Sequence, residues 1–263
     1  MNRIDNKFKE LKQKKQKAFI AFITAGYPNL ATTEKLVPEL EKAGVDIIEL
    51  GIPFSDPMAD GATIQAASHD ALSKGVSLAK IFAVVKRIRL KTQLPIAFMT
   101  YYNPVFAYGE EAFIKKCAEV GIDGVIIPDL PPEEALNLRK LALKKNISTI
   151  FFIAPTTTDS RIKANVKAST GFIYYVSLTG VTGVNQAVAS TVVTNIKKAK
   201  RYTNKPICAG FGITNAKQAR DIAKIADGVI VGSAIIKEIQ RAAKKDIVPS
   251  VTRFVGQLVK AIK

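Results

Sequence analysis

Short apolar runs, rich in β-branched and aromatic residues, recur along this chain with room for one helix between successive runs. Residues 18–24, 46–50, 95–101, 123–128, 147–154, 171–177, 206–209 and 227–231 make eight such runs. Near-continuous apolarity, rather than in-and-out alternation, is the pattern of parallel strands buried on both faces. The intervening segments carry helical spacing. Leu78, Ile81, Val85 and Ile88 follow a cap at Ser77, and Phe113, Cys117 and Val120 precede Gly121. Residues 30–43 form another helix, ended by Gly44, with Pro38 as a kink or a late start. Eight βα units in 263 residues, with no linker or break in composition, predict a single α/β domain over 1–263, a (β/α)8 TIM barrel. An N-terminal helix with Ile4, Phe8 and Leu11 on one stripe and a short inserted helix over 62–74 are added to it. A loop is expected through Asn103-Pro104, and a helix start at Pro131-Pro132. Three strands are entered through a related phrase, Ala43-Gly-Val-Asp46, Val120-Gly-Ile-Asp123 and Ile225-Ala-Asp227. A doubly wound open sheet is the structural alternative.

Other features narrow the function classes. No apolar run reaches the ~18 residues of a membrane span. Met1 to Lys17 is lysine-rich, lacks the apolar core of a secretory signal, and is too acidic and serine-poor for a transit peptide. A cytoplasmic location is expected, or the plastid stroma for an organellar chain. Cys117 and Cys208 lie far apart in apolar settings, as free buried thiols in a reducing compartment do. With one histidine, His69, and no ligand spacing, no metal site is expected. The net charge of +17 invites a nucleic-acid reading. The lysines are dispersed without interleaved aromatics, so nucleic acid is not the expected partner. A non-catalytic, basic RNA-binding barrel is kept as the remote alternative. The charge should steer anionic phosphates toward the protein.

In such a barrel the chemistry sits at the C-terminal strand ends. The second strand carries an anomaly there: Glu49 stands among Ile47, Ile48 and Leu50. A carboxylate buried in such a run must be paired, protonated or functional. After Gly51 the loop is stiffened by Pro53 and Pro57, carries Asp56 and Asp60, and closes at Gly61. One carboxyl on a rigid strand end and another on the next loop is how a two-carboxylate acid–base site is built. A structural pairing of Glu49 with a lysine is the competing explanation. Tyr101, Asp129 and Tyr174 mark other strand ends, and only one of Tyr174 and Tyr175 can face inward. Gly210-Phe211-Gly212 follows the seventh strand, and Gly232-Ser233, with Ser233 as a helix cap, follows the eighth. Those are the barrel's usual phosphate loops, although each alone would also suit a tight turn. The loop Thr179-Gly-Val-Thr-Gly183 reads either as a lid or as a plain connection.

The run Ile48-Glu49-Leu50-Gly51-x-x-Phe54-Ser55-Asp56-Pro57-Met58-Ala59-Asp60-Gly61 resembles the signature of the tryptophan synthase α chain family. Further matches cover nearly the whole chain, among them Phe19 to Pro28, Met99 to Asn103, Ile127 to Pro131, Ala154 to Thr157, Tyr174 to Ser177 and Gly180 to Gly183. The resemblance implies a (β/α)8 fold and a lyase that cleaves indole-3-glycerol phosphate to indole and glyceraldehyde 3-phosphate by a retro-aldol step. It implies no cofactor or metal in this chain, and a partner β chain that carries pyridoxal phosphate in an α2β2 complex. It assigns proton transfer to Glu49, the indole N–H to Asp60, and the orienting of Glu49 to Tyr174. Phe22, Tyr101 and Asp129 line up with the indole pocket. Gly183, Phe211, Gly212, Gly232 and Ser233 line up with the phosphate pocket, and Asp56 and Thr182 with the lid or partner loop. Leu178 stands where many members carry arginine. A free-standing indole-3-glycerol phosphate lyase is the alternative function.

Overall fold

Parallel pairing governs the architecture. The structure is a computed structural model; it describes residues 1–176, 186–210 and 212–263, with the backbone alone over 186–191. The strand segments are β1 (Ala18–Thr24), β2 (Ile47–Gly51), β3 (Ile96–Met99), β4 (Gly124–Ile126), β5 (Ser148–Ile150), β6 (Phe152–Ile153), β7 (Ile173–Val176), β8 (Ile207–Gly210) and β9 (Gly228–Val231). Their order in the sheet is β5-β4-β3-β2-β1-β9-β8-β7-β6, with every pair parallel. The two ends of that order are separated in the chain by Phe151 alone. The sheet therefore closes on itself, with β5 and β6 forming one interrupted barrel strand. An eight-stranded barrel leaves no edge to protect and an interior just wide enough for side chains to fill.

Alternation along each strand sorts the apolar residues into two cores. Ala18, Ile20, Ile47, Ala97, Ile126, Ile150, Phe172, Cys208 and Ile230 fill the barrel. Phe19, Ala21, Ile48, Leu50, Val125, Ile173, Tyr175 and Val229 face the surrounding helices. Helix α1 (Arg3–Gln13) plugs the N-terminal end of the barrel with Ile4, Phe8 and Leu11, each such burial contributing roughly 1.5–3 kcal/mol. Asn2 starts it with a capping box and also donates to Ser148 Oγ at 2.8 Å.

The phrase repeated before three strands has a structural cause. Asp46, Asp123 and Asp227 each turn a carboxylate back to accept the amide of a residue on the neighbouring strand, Phe19 at 2.8 Å and Ile96 and Ile207 at 2.9 Å. Each acid is paired as well, with Lys263, with Arg89 and Arg3, and with Lys200 respectively. This end of the barrel is thus built for stability.

The other helices are α2 (Leu30–Lys42), α3 (Ala62–Ser73), α4 (Leu78–Arg89), α5 (Tyr102–Tyr108), α6 (Glu110–Val120), α7 (Leu136–Lys144), α8 (Asp159–Ala168), α9 (Gln186–Lys200), α10 (Ala216–Ala223), α11 (Ser233–Arg241) and α12 (Ile247–Ile262). Two details depart from the sequence expectation. Helix α5 occupies the stretch expected as loop, because Pro104 falls in its first turn, where no amide is needed. Helix α7 starts at Leu136; Pro131 instead opens a turn whose carbonyl accepts the amides of Glu134 and Ala135. Helix α2 continues across Pro38. No helix among the described residues is long and apolar enough to cross a membrane.

Candidate active site

Strand β2 delivers Glu49 into the barrel at its C-terminal end, beside Phe22 of β1 and Ala97 of β3 in register. Its side chain is fully buried, and neither carboxyl oxygen has a hydrogen-bond partner among the described residues. The lysine pairing that would make Glu49 structural is therefore not formed. An ionised carboxyl without partners is costly to bury, so the proton is retained. Burial first, and the charge of Asp60 second, push Glu49 up to about 8.

Asp60 reaches the same place from the loop after β2. The strand runs out at Gly51, and Ile52 still donates to the Met99 carbonyl at 2.8 Å, anchoring the loop's start. Phe54 then stacks on Tyr101 with ring centroids 5.3 Å apart. The Tyr101 hydroxyl donates to Asp60 Oδ2 at 3.1 Å and accepts the Ala59 amide at 2.9 Å. Burial raises Asp60 to about 6, and the Tyr101 hydrogen bond works against that rise. The two acids are thereby driven apart: near neutral pH Glu49 keeps its proton and Asp60 loses it. Such a split assigns an acid and an anion to one cleft.

Tyr174 is the inward tyrosine of β7, packed on Phe152 with centroids 4.7 Å apart, while Tyr175 faces the helices. Burial, then the charges of Glu49 and Asp60, hold its phenol well above the usual range. It is therefore a neutral group near both acids. Its hydroxyl makes no hydrogen bond to Glu49, whose oxygens are unpartnered, so the expected orienting contact is absent from this arrangement.

Phe22 shapes the wall between β2 and β9. A Cβ on Gly51 would lie 2.6 Å from Phe22 Cζ, and one on Gly232 would lie 3.2 Å from Phe22 Cβ. Glycine at both positions is what lets the ring stand there. Asp129 is exposed, and both its oxygens accept the Tyr102 amide, at 2.9 and 3.1 Å. It thus caps the start of α5 at the mouth of the barrel. Asp56 is exposed on the loop and accepts the Ser55 hydroxyl.

At the neighbouring strand ends, Gly212 adopts a left-handed φ of 52° after β8. Gly232 holds the cap position of α11 and Ser233 is its first helical residue, one place past the cap expected of it. Among the described residues no side chain caps α11, which leaves its first amides available at this end of the barrel. Gly183, Phe211, Thr182 and Leu178 lie outside the described residues.

Three features of this mouth were not singled out from sequence. Phe54 braces Tyr101, Phe152 packs on Tyr174, and the Thr24 hydroxyl is buried without a partner. Strand alternation carried the signal for Phe152 and Thr24, since each stands two residues past an inward side chain. Phe54 carried no comparable signal.

Comparison with known proteins places the chain. The profile of the family described as "Tryptophan synthase alpha chain" matches residues 8–262. The tryptophan synthase alpha chain of Geotalea daltonii is 47% identical over 258 residues, covering 98% of each chain. That of Pelobacter propionicus is 48% identical over 262 residues, covering 100% of this chain and 98% of the relative. The crystal structure of tryptophan synthase subunit alpha from Legionella pneumophila superposes with a TM-score of 0.93 at 36% identity, covering 100% of this chain and 98% of that one. A paired-carboxyl mouth on a closed barrel and full-length identity near one half agree: this chain belongs to the tryptophan synthase alpha chain family.

Proposed function

We propose that Glu49 and Asp60 carry out the family's reaction in this chain, the cleavage of indole-3-glycerol phosphate to indole and glyceraldehyde 3-phosphate. The chain is an α-subunit lyase of tryptophan biosynthesis; the roles of its residues are the proposal. The observation that carries it is the split between two neighbouring carboxyls, one fully buried and raised to about 8, the other half-buried and raised to about 6.

Breaking the bond between indole C3 and the glycerol chain requires C3 to gain a proton first. Glu49, protonated near neutrality, donates it. The ring becomes an indolenine cation, and Asp60, ionised, accepts the N–H whose acidity has just risen. Glu49, now a carboxylate, takes the proton from the hydroxyl next to the breaking bond. The C–C electron pair returns to the ring, indole leaves, the hydroxyl carbon becomes the aldehyde, and Glu49 ends protonated as it began. Tyr174 contributes a neutral phenol beside the acids, and Phe22 and Tyr101 flank the ring. The phosphate tail reaches the open amides of α11 at Gly232 and Ser233, with Gly212 after β8; the resemblance adds Gly183 and Phe211, which lie outside the described residues, to the phosphate-binding set.

This sequence of steps uses no cofactor in the α chain; pyridoxal phosphate belongs to the β chain that receives indole. An α2β2 complex, with Asp56 and Thr182 on the loops that meet the partner or close the site, completes the proposal. The bacterial relatives support a cytoplasmic setting. The test is incubation of the chain with indole-3-glycerol phosphate, alone and with a β chain. Free indole in the first arm, with faster turnover and a heterotetramer on sizing in the second, is expected. Indole release indifferent to the β chain would instead mark a free-standing lyase.

A further inference from the structure

The barrel end opposite the acids holds a lysine-lined cavity. Helix α1, the loop between α9 and β8 and the residue before β9 line a half-open cavity of about 520 Å³, within the range of small-molecule pockets. Half-buried Pro206, with the small edges of Phe8 and Leu11 that the barrel plug leaves uncovered, gives it an apolar floor, and Lys12, Lys15, Lys17, Lys200 and Lys205 surround that floor. One carboxylate, Asp227, is among the lining residues, so the lining carries five positive charges against one negative.

That imbalance is not relieved locally. Asp227 is already bound to Lys200 at 2.9 Å and to the Ile207 amide. Lys17 Nζ donates, among the described residues, to the Ala226 carbonyl at 2.8 Å. Lys205 Nζ donates to the carbonyls of Val166 and Ser169 at 2.8 and 2.7 Å. Carbonyls orient an ammonium without neutralising it, and each of these lysines keeps at least one N–H free. Burial, and then Arg139, hold Lys205 below the usual lysine range, as expected of a cation lacking a counter-charge.

Lys15 adds an independent sign. The Gln16 amide bonds to the Leu11 carbonyl at 2.9 Å and the Lys15 amide to that of Lys12 at 3.2 Å, the double bond of a Schellman motif closing α1. The left-handed position of that motif favours glycine, yet Lys15 occupies it with φ 55°. The chain accepts an unfavourable backbone there and gains an ammonium on the cavity rim.

We infer that this cavity binds a small molecule bearing a diphosphate, the phosphates seated among the lysines and any attached ring lying on Phe8, Leu11 and Pro206. Two sources share that chemistry, inorganic pyrophosphate and a nucleoside diphosphate, and the apolar floor favours the second.

The experiment is calorimetric titration of the full chain with pyrophosphate, ADP and a single-stranded RNA at about 150 mM salt. It is repeated with Lys12→Glu and with Lys15→Gly, which relieves the backbone while removing the charge. Saturable one-to-one diphosphate binding is expected, weakened roughly ten-fold or more by either substitution, with the Lys15→Gly melting temperature unchanged or raised. ADP binding tighter than pyrophosphate would assign the floor to a nucleoside; equal affinities would assign the site to the diphosphate alone. Absence of diphosphate binding, binding unaffected by both substitutions, or RNA outcompeting ADP through the same lysines would each overturn the proposal.

Discussion

The hydroxyl of Tyr101 donates to Asp60 Oδ2 at 3.1 Å and is the one contribution that lowers Asp60 against its burial. Removing it leaves desolvation unopposed. Tyr101→Phe should therefore raise Asp60 above about 6. The acidic limb of the kcat/KM profile, where Asp60 must be ionised, should move to higher pH. A rise of about one pKa unit cuts the ionised fraction on that limb about ten-fold. A pH–rate profile checks this, and an unmoved acidic limb would detach Tyr101 from Asp60.

Withdrawing the two acids from water, Glu49 fully and Asp60 in part, has a consequence for stability with a definite sign. Both carboxyls titrate higher folded than unfolded, Glu49 at about 8 against 4.5 and Asp60 at about 6 against 3.8. Their contribution is fully present below the unfolded values and is lost as pH rises through the folded ones. For Glu49 the loss runs at up to roughly 1.4 kcal/mol per pH unit within that window. Glu49→Gln should flatten this slope and be the more stable protein at pH 9. Urea denaturation of both proteins at pH 5, 7 and 9 checks it; parallel pH dependences would refute it.

Phe22 and Gly51 are matched in shape. A methyl on Gly51 would come within 2.6 and 2.7 Å of the ring's Cζ and Cε2. Gly51→Ala should destabilise the fold by about 1–3 kcal/mol. It should also raise KM for indole-3-glycerol phosphate by displacing the ring. The double variant Gly51→Ala/Phe22→Leu, which vacates the space, should recover stability; no recovery would show that the strain lies elsewhere.

Ser233 opens α11, whose first amides have no side-chain cap. In our account its hydroxyl joins its amide in binding the phosphate, far from the breaking bond. Ser233→Ala should then raise KM roughly ten-fold with kcat little changed. With indole glycerol, which lacks the phosphate, the variant and the wild type should behave alike. Equal losses on both substrates would remove Ser233 from phosphate binding.

Much of this was legible before any coordinates, for identifiable reasons. Strands buried on both faces must be apolar throughout, so a single acid at Glu49 stood out, and its place near a strand end located the mouth. Recurrent helix-to-strand turns were visible in Asp46, Asp123 and Asp227, although their capping of the neighbouring strands was not: that bond joins residues 27 or 20 positions apart. Helix α5 was missed because Pro104 reads as a breaker until its first-turn position is known. The resemblance set Asp129 beside the indole pocket; that its oxygens also accept the Tyr102 amide could not be read while α5 was hidden. The hydrogen bond from Tyr101 to Asp60 was not legible, because no spacing rule links residues 41 positions apart. The loop carrying Thr182 and Gly183, and Phe211, lie outside the described residues, and for them the sequence remains the guide.

The central claim is that Glu49 supplies and retrieves the proton. Glu49→Gln keeps the shape of the side chain and removes that ability. Its rate of indole release from indole-3-glycerol phosphate near pH 7, with folding verified by circular dichroism, is the most direct measure. A loss of roughly 10²–10⁴-fold is predicted. A folded variant that releases indole within a few-fold of the wild-type rate would contradict the account.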